Sequence, residues 1–233
     1  MDGDGVWAMI VDPDMAGLLI LADPRLPVGG HTQSGGFEPA VLGGCGLADL
    51  PDYVEVRLRT VSAVDLGTAV AAYAALGAPS DGLADVHAHW AARTPSHVQR
   101  QASESAGSGM LRLLRRLFPH HVATALVSEL PTAPRPITYA ALGRALGASP
   151  REVGAALLHD DVQAVTSAAL KLLPADPVDA VGWALATRGT RAELLSAALA
   201  CPGRPDGIPA RSAPQLEMWA HNHDRTNRRL FRA

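Results

Sequence analysis

Residues 18–38 read LLILADPRLPVGGHTQSGGFE and carry the features that indicate how this chain folds. The stretch opens with a short apolar run suited to a buried helix. Asp23-Pro24 ends that run, because a proline disfavours helical geometry at the residue before it. A second helix is predicted over residues 37–43, with Ser34 as its N-cap. The stretch therefore predicts two helices joined by a glycine-shaped loop.

The glycines of this loop, Gly29, Gly30, Gly35 and Gly36, are spaced so that backbone amides can face a phosphate group. A phosphate-binding loop, however, follows a strand or contains Gly-Lys-Ser/Thr, and neither feature is found here. We therefore expect the glycines to serve tight turns and the close approach of two helices. The same loop is expected to present Ser34 and Glu38.

The rest of the chain continues the helical pattern. Hydrophobic residues make up 48% of the 233 residues and aromatic residues only 4%, so alanine and leucine supply most of the apolar mass. That composition favours helices over strands. A helix from about residue 95 to 118 is predicted to begin at Thr94. Ser149-Pro150 and Asp176-Pro177 are predicted to begin two long helices, the second reaching about residue 200.

The domain organisation follows from where proline and glycine accumulate. Residues 202–214 hold four prolines and two glycines, which is typical of a linker. We predict a flexible leader over residues 1–16, an all-helical domain over residues 17–201, and a linker and partner-docking tail over residues 202–233. The predicted fold class is all-α, with a single compact multi-helix domain and a flexible C-terminal extension.

Charge and cysteine usage exclude several classes of function. The formal net charge of -3 gives no indication of a nucleic-acid partner. Cys45 and Cys201 form no C-x-x-C pair, and two lone cysteines suit a reducing cytoplasm. No apolar run approaches the length of a membrane span. The expectation is a cytoplasmic protein without a cofactor.

Histidine pairs are the main argument for an enzyme. His87-x-His89 and His221-x-His223 resemble metal pairs, but residues two apart point to different faces of a helix. Each histidine is therefore expected to be solvated or singly hydrogen-bonded, and no metal ligand is assigned. No G-x-S-x-G elbow is found, and no catalytic residue is assigned. A helical metal-binding enzyme that uses the scattered histidines is the alternative.

Two charged residues, Asp65 and Lys171, interrupt apolar helix faces. Each fits either the edge of the core, with its charge in water, or an interface, and the sequence leaves both readings open.

The C-terminal tail places Leu230 and Phe231 among arginines. A basic tail could bind acidic lipid or nucleic acid. The Leu-Phe pair among the charges favours instead an apolar anchor that folds onto a protein partner.

Residues 18–38 closely resemble the N-terminal signature of the urease accessory protein UreF family, roughly Leu-x-x-Ala-x-x-x-Leu-Pro-x-Gly-Gly-aromatic-small-x-Ser-x-Gly-Leu/Phe-Glu. The C-terminus is similar to the family's ending in Pro214-x-Leu216-Glu217, His221 and Arg229-Leu230-Phe231. Two departures are His31, where many members have an aromatic residue, and Gly107-Ser108, where members often have Gly-Arg.

This resemblance implies an all-helical, dimeric adaptor that performs no bond chemistry. Members bind UreD (also called UreH), and the pair recruits the GTPase UreG. The assembly delivers nickel to apo-urease, together with carbon dioxide as a lysine carbamate. By resemblance, the expected partner-binding residues are Ser34, Gly35, Gly36, Glu38, Glu217, His221, Arg229, Leu230 and Phe231.

Overall fold

A computed structural model describes residues 13–26, 33–78, 82–224 and 230 of the chain. These residues form α-helices and contain no β-strand, which confirms the predicted all-α fold class. The helices are α1 (Pro13–Leu21), α2 (Phe37–Leu42), α3 (Leu50–Arg57), α4 (Ala63–Ala75), α5 (Gly82–Arg93), α6 (His97–Leu117), α7 (Val122–Ser128), α8 (Arg135–Ala145), α9 (Pro150–Leu172), α10 (Pro177–Ala186), α11 (Arg188–Leu199) and α12 (Pro214–Asp224). None of these helices is long and apolar enough to cross a membrane.

Three helices, α4, α8 and α9, form the centre of the molecule. α4 packs against both α8 and α9, α5 covers α4, and α6 covers α8. Residues 63–72 of α4 and 135–143 of α8 are buried without interruption. Such helices are surrounded on all sides, because a helix at a surface exposes one face. Most of the buried residues are small, which allows the neighbouring helices to approach closely.

One apolar core connects the two ends of the described chain. It contains Leu21 of α1, residues of the central helices, and Ile208 and Leu216 near the C-terminus. The compact helical domain is therefore as predicted, and α12 contributes to its core. The domain limits at residues 16 and 201 stay a prediction.

The residues that cap the helix N-termini can be compared one by one with the sequence predictions. Ser149 begins α9 as predicted: its Oγ accepts a hydrogen bond from Glu152 N at 3.3 Å, and Glu152 Oε2 accepts one from Ser149 N at 2.7 Å. The prediction of Thr94 for α6 was wrong, since Ser96 Oγ accepts from Gln99 N at 3.3 Å. Two hydroxyl residues flank Pro95, and only tertiary geometry distinguishes them.

Two further helix predictions need correction. Asp176 caps α10 as expected, but the predicted long helix divides at Thr187 into α10 and α11. The N-cap position of α2 is Gly36 and not Ser34. Ser34 still contributes, because its Oγ accepts a hydrogen bond from Glu38 N at 3.1 Å.

A wide π-helical turn, Leu58–Ser62, joins α3 to α4. Arg57 and Asp65 flank this turn and are eight residues apart, which in a regular α-helix separates their directions by about 80°. The wide turn absorbs one extra residue, so the two side chains lie as if seven apart, separated by about 20°. The turn therefore directs a guanidinium and a carboxylate to the same face.

Gly107 allows α6 to approach the segment that leads into α8. A Cβ at this position would overlap the carbonyl oxygen of Ala133, which is backbone and does not move aside as a side chain does. By contrast, a Cβ at Gly189 of α11 would meet no atom within 4 Å. The two glycines provide a matched comparison between close packing and helix propensity.

Replacing Gly107 with Ala is expected to lower the free energy of unfolding by about 3 kcal/mol, since the core must shift to admit the methyl group. Gly189→Ala is expected to raise it by about 0.5–1 kcal/mol through helix propensity. Urea unfolding followed by circular dichroism measures both. Equal effects of the two substitutions would show that α6 does not pack as described.

Candidate functional site

The end of the glycine-rich loop turns sharply between Ser34 and α2. Gly35 and Gly36 have φ values of 60° and 79°, a left-handed conformation that other residues rarely adopt. The turn is fixed by Tyr53, whose hydroxyl donates a hydrogen bond to the Gly35 carbonyl oxygen at 2.9 Å. The predicted positions Gly29 and Gly30 lie outside the described residues.

Glu38, at the start of α2, is buried and binds the C-terminal part of the chain. Its Oε2 lies 3.0 Å from Nε2 of His223, whose side chain is fully buried. Its Oε1 accepts a hydrogen bond from the backbone N–H of Leu230 at 2.7 Å. One carboxylate therefore connects the start of α2 to α12 and to Leu230.

Aromatic side chains extend the contact between α2 and α12. Trp219 of α12 stacks on Tyr53 with 6.4 Å between ring centroids, and Tyr53 meets the edge of Phe37 at 5.1 Å. A Cβ at Gly43 would overlap Nε1 of Trp219, so that glycine leaves room for the indole. The polar contact at Glu38 is thus flanked by an apolar one.

The predicted partner-binding residues have different surroundings in the structure. Ser34 and Glu38 are buried within their own chain, while Glu217 and His221 on α12 are half-exposed. Nε2 of His221 lies 3.3 Å from Ser96 Oγ, and its ring contacts His97. Leu230 is exposed, and Arg229 and Phe231 lie outside the described residues. The role of all these residues in binding a partner stays a prediction.

His223 is the residue of this region that the sequence reading missed. The sequence predicts a solvated or singly hydrogen-bonded histidine and assigns it no partner-binding role, yet it is buried with Leu216 and Ala220 on the inner face of α12. The spacing of four and three residues among 216, 220 and 223 is that of one helix face. That spacing was the available signal.

A second buried polar group lies at the centre of the molecule, and we call it the ionic cluster. Arg135 Nη1 lies 3.4 Å from Asp65 Oδ2 and 3.0 Å from Asp161 Oδ1, and its Nη2 lies 2.7 Å from Asp160 Oδ2. Arg57 approaches Asp161 at 3.6 Å. The cluster therefore holds three carboxylates and two guanidiniums contributed by α3, α4, α8 and α9.

The ionic cluster shows where Asp65 lies, which the sequence left open between the edge of the core and an interface. This residue is buried and lies against Arg135, not at a water-facing edge of the core. Burial raises the pKa of the Asp65 carboxyl to about 6, although Arg135 opposes the rise. Burial would also raise the pKa of Asp161, but Arg135 and Arg57 outweigh it and hold the pKa below its ordinary value. Lys171, the other open case, is exposed.

A cavity of about 100 Å³ lies between the ionic cluster and the C-terminal segment. Its wall includes Asp161, Gly35 of the loop, and Glu217 and Ala220 of α12. Oδ2 of Asp161 is buried there without a hydrogen-bond partner among the described residues. A cavity of this size that borders buried charged groups accommodates water. The ionic cluster, the glycine-rich loop and α12 all contribute to its wall, and Gly35 lies next to Arg57.

The histidines and cysteines do not form a metal centre within the described residues, where no three His, Cys, Asp or Glu side chains are arranged to hold a metal ion. His87 Nε2 lies 2.9 Å from Thr132 Oγ1, and His89 Nδ1 lies 3.0 Å from Arg93 Nη1. Burial raises the pKa of the Cys45 thiol, and Cys201 is exposed and unpaired. These contacts suit structural roles.

Comparison with known proteins places similar sequences along nearly the whole chain. Residues 45–201 match the family model described as UreF. A protein from Mycobacterium sp. (strain JLS) named urease accessory protein UreF is 36% identical, covering 92% of this chain and 96% of its own length. Proteins of the same name from Mycolicibacterium vanbaalenii and Mycobacterium bovis are 34% and 31% identical, each covering 93% of this chain and 98% of its own length.

The raised pKa of Asp65 predicts a specific dependence of stability on pH. The folded state holds this proton up to about pH 6, whereas the unfolded chain releases it near 3.8. The carboxyl therefore contributes most to stability at low pH, and the contribution is lost as the pH rises through that window. Relative to Asp65→Asn, the wild type should lose up to about 3 kcal/mol between about pH 4 and about pH 7.5.

Urea unfolding of both proteins across that pH range measures the difference. Asp206→Asn is the matched control, because this carboxyl is exposed and its pKa is lowered by Arg204. A difference between wild type and Asp65→Asn that does not vary with pH would mean that Asp65 keeps an ordinary pKa, contrary to its burial.

Proposed function

The chain belongs to the urease accessory protein UreF family, and we propose that it is an adaptor, or chaperone, of urease maturation in the cytoplasm. In this proposal it binds UreD (UreH) and the GTPase UreG and forms the assembly that inserts nickel into apo-urease. Nickel is cargo of the assembly, and the chain itself makes and breaks no covalent bond.

The observation that carries the proposal is the similarity to proteins named urease accessory protein UreF along more than nine-tenths of the chain. The structure supports it by bringing together the two ends in which the family-like sequences lie. Glu38 of the N-terminal stretch binds both His223 and the backbone of Leu230. A partner that binds the C-terminal tail therefore acts on a segment held by the glycine-rich loop.

Two observations favour the adaptor over the alternative of a metal-binding enzyme. The buried carboxylates of the ionic cluster face Arg135 and Arg57, which leaves them poorly suited to binding a cation. The described histidines contact nearby polar side chains of different elements, and no three metal-ligating side chains among the described residues are arranged to hold an ion. Both arrangements are those of a structural framework.

The proposed homodimer has a suitable surface on α10. Val178, Val181 and Leu185 are spaced by three and four residues on one face, and they are 75%, 60% and 62% exposed. An apolar stripe of this kind at a protein surface marks a site of association. We place a second copy of the chain here, because a two-fold axis lets the same stripe cover itself.

Assembly with purified partners tests the adaptor proposal. The full chain, kept under reducing conditions, is expected to form a complex with UreD and then to bind UreG, as measured by size-exclusion chromatography. Glu38→Ala and His223→Ala are each expected to weaken UreD binding about tenfold, since either change removes a buried polar contact that holds the tail. Met218→Ala, an exposed residue of α12, is the matched control.

Failure of the wild-type chain to bind UreD would overturn the proposed function. Wild-type affinity in both Glu38→Ala and His223→Ala would instead show that this contact has no part in partner binding. Thermal melting of each variant separates loss of binding from loss of the folded domain.

For the dimer, Val181→Glu is expected to convert the wild-type dimer to a monomer, because a charge would be buried in an apolar interface. Light scattering coupled to gel filtration measures the mass. Val56→Glu introduces the same charge at an exposed valine of α3 and should leave the dimer intact. A monomeric wild type, or a dimeric Val181→Glu variant, would contradict the placement.

A further inference from the structure

The C-terminal end of α6 combines exposed positive charge with exposed apolar side chains. Arg112, Arg115 and Arg116 are exposed there, and Leu117 and Val122, which follow them in the sequence, are 61% and 58% exposed. We call these five residues the basic corner. The first two arginines are three apart and the outer two four apart, so all three point to one side of the helix.

The arginines of the basic corner differ from five other arginines of the described chain, whose guanidiniums pair with carboxylates. Arg25, Arg57, Arg59, Arg135 and Arg204 form ion pairs with acidic residues. Within the described part of the chain, none of the three corner arginines does so, and the one side-chain hydrogen bond among them is from Arg115 Nε to Ser128 Oγ at 3.2 Å. The sequence from Ser105 to Ser128 contains no aspartate or glutamate. Positive charge therefore accumulates locally on a chain whose formal net charge is -3.

A local explanation accounts for part of this pattern. Cations in the last turn of a helix interact favourably with the carbonyl end of the helix dipole, and Arg115 and Arg116 lie in that turn of α6. The effect fades within one turn, so it does not extend to Arg112. It also gives no reason for Leu117 and Val122 to be exposed beside the charges.

We propose that the basic corner binds an acidic protein segment, whose carboxylates pair with the arginines and whose apolar side chain packs on Leu117 and Val122. This inference rests on the proposed function, because the segment is assigned to one of the proteins of the maturation assembly. The acidic character of the bound segment is inferred from its charge complementarity to the arginines. The rest of the chain carries net negative charge and repels an acidic protein, so long-range attraction directs it to this corner.

A nucleic acid fits the same surface less well. A backbone-binding site follows the phosphates with a row of cations along a groove, whereas here three arginines occupy a single corner. The aliphatic side chains of Leu117 and Val122 form neither hydrogen bonds nor ion pairs with phosphates, but they match the apolar centre of a protein interface. The observations therefore favour a protein partner.

The basic corner is separate from the region around Glu38. α12 approaches the opposite end of α6, where His221 contacts Ser96 and His97. Between His97 and Arg112 the helix rises about 22 Å. A protein that binds the C-terminal tail therefore leaves the corner accessible, and the corner offers an independent contact within the same assembly.

The test uses the full chain with Arg112, Arg115 and Arg116 all changed to Glu, and measures its affinity for purified UreD, UreG and apo-urease. Biolayer interferometry is carried out at about 50 mM and at about 300 mM NaCl, because the higher salt concentration screens the attraction between exposed charges more strongly. We expect the affinity for one of the three proteins to fall at least tenfold at low salt, and the difference from wild type to shrink at high salt, as for other exposed charges.

Arg151→Glu is the matched control, because Arg151 is exposed on another helix, α9, and forms no ion pair among the described residues. It should change each affinity by no more than about twofold. Arg112→Gln with Arg116→Gln is a milder variant that keeps the Arg115–Ser128 bond. If the charge reversals lower the melting temperature, the affinities of this milder variant are measured instead.

The outcomes separate this inference from the proposed function. Unchanged binding of all three proteins by the charge-reversed variant overturns the inference and leaves the proposed function standing. Absence of binding by the wild type overturns both. Retention of a 20-base-pair DNA duplex by the wild type, lost in the variant while all protein affinities stay unchanged, would assign the corner to nucleic acid and also overturn the inference.

Discussion

The ion pairs of Arg135 are the interaction on which the arrangement of the central helices depends. A guanidinium in the interior is tolerable only with carboxylates at bonding distance, and Asp65, Asp160 and Asp161 supply them from α4 and α9. Removing one partner of such a group leaves an uncompensated charge and costs about 3–5 kcal/mol. α4, α8 and α9 are therefore fixed relative to one another by charge as well as by packing. The π-helical turn serves the same arrangement, since it directs Arg57 and Asp65 to one face.

The ionic cluster also borders a cavity. This cavity lies between the cluster and the C-terminal segment. The glycine-rich loop and α12 border this cavity, and the Glu38–His223 contact holds α12 in place. Two buried polar contacts of the described chain therefore have different roles: the ionic cluster positions the central helices, and the Glu38–His223 contact attaches the C-terminal segment to them. An adaptor that binds a partner through its tail needs such an attachment, because binding at the tail is otherwise independent of the domain.

The surfaces proposed for association lie outside this interior framework. The apolar stripe of α10 suits a copy of the same chain, whereas the basic corner at the end of α6 suits an acidic protein. The two differ in chemistry, so each selects a different kind of surface on the protein that binds it. An assembly of several proteins around one helical domain requires separate contacts of this kind, each with its own selectivity.

The sequence by itself determined the helical class, the Ser149 and Asp176 helix starts, and the family-like ends, because propensity, capping and motif spacing are local properties. It did not determine that Thr187 divides a helix, or that Ser96 and not Thr94 begins α6. Tertiary structure alone decided the surroundings of Asp65, Glu38 and His223, whose partners are 70 and 185 residues away in the chain. Periodicity shows which face of a helix is buried, but it carries no information about which distant side chain that face meets. The same limit applies to Ser34 and Glu38: the motif indicated that they matter, and only the fold showed that Ser34 binds the backbone of Glu38 and that Glu38 binds the chain's own C-terminal segment.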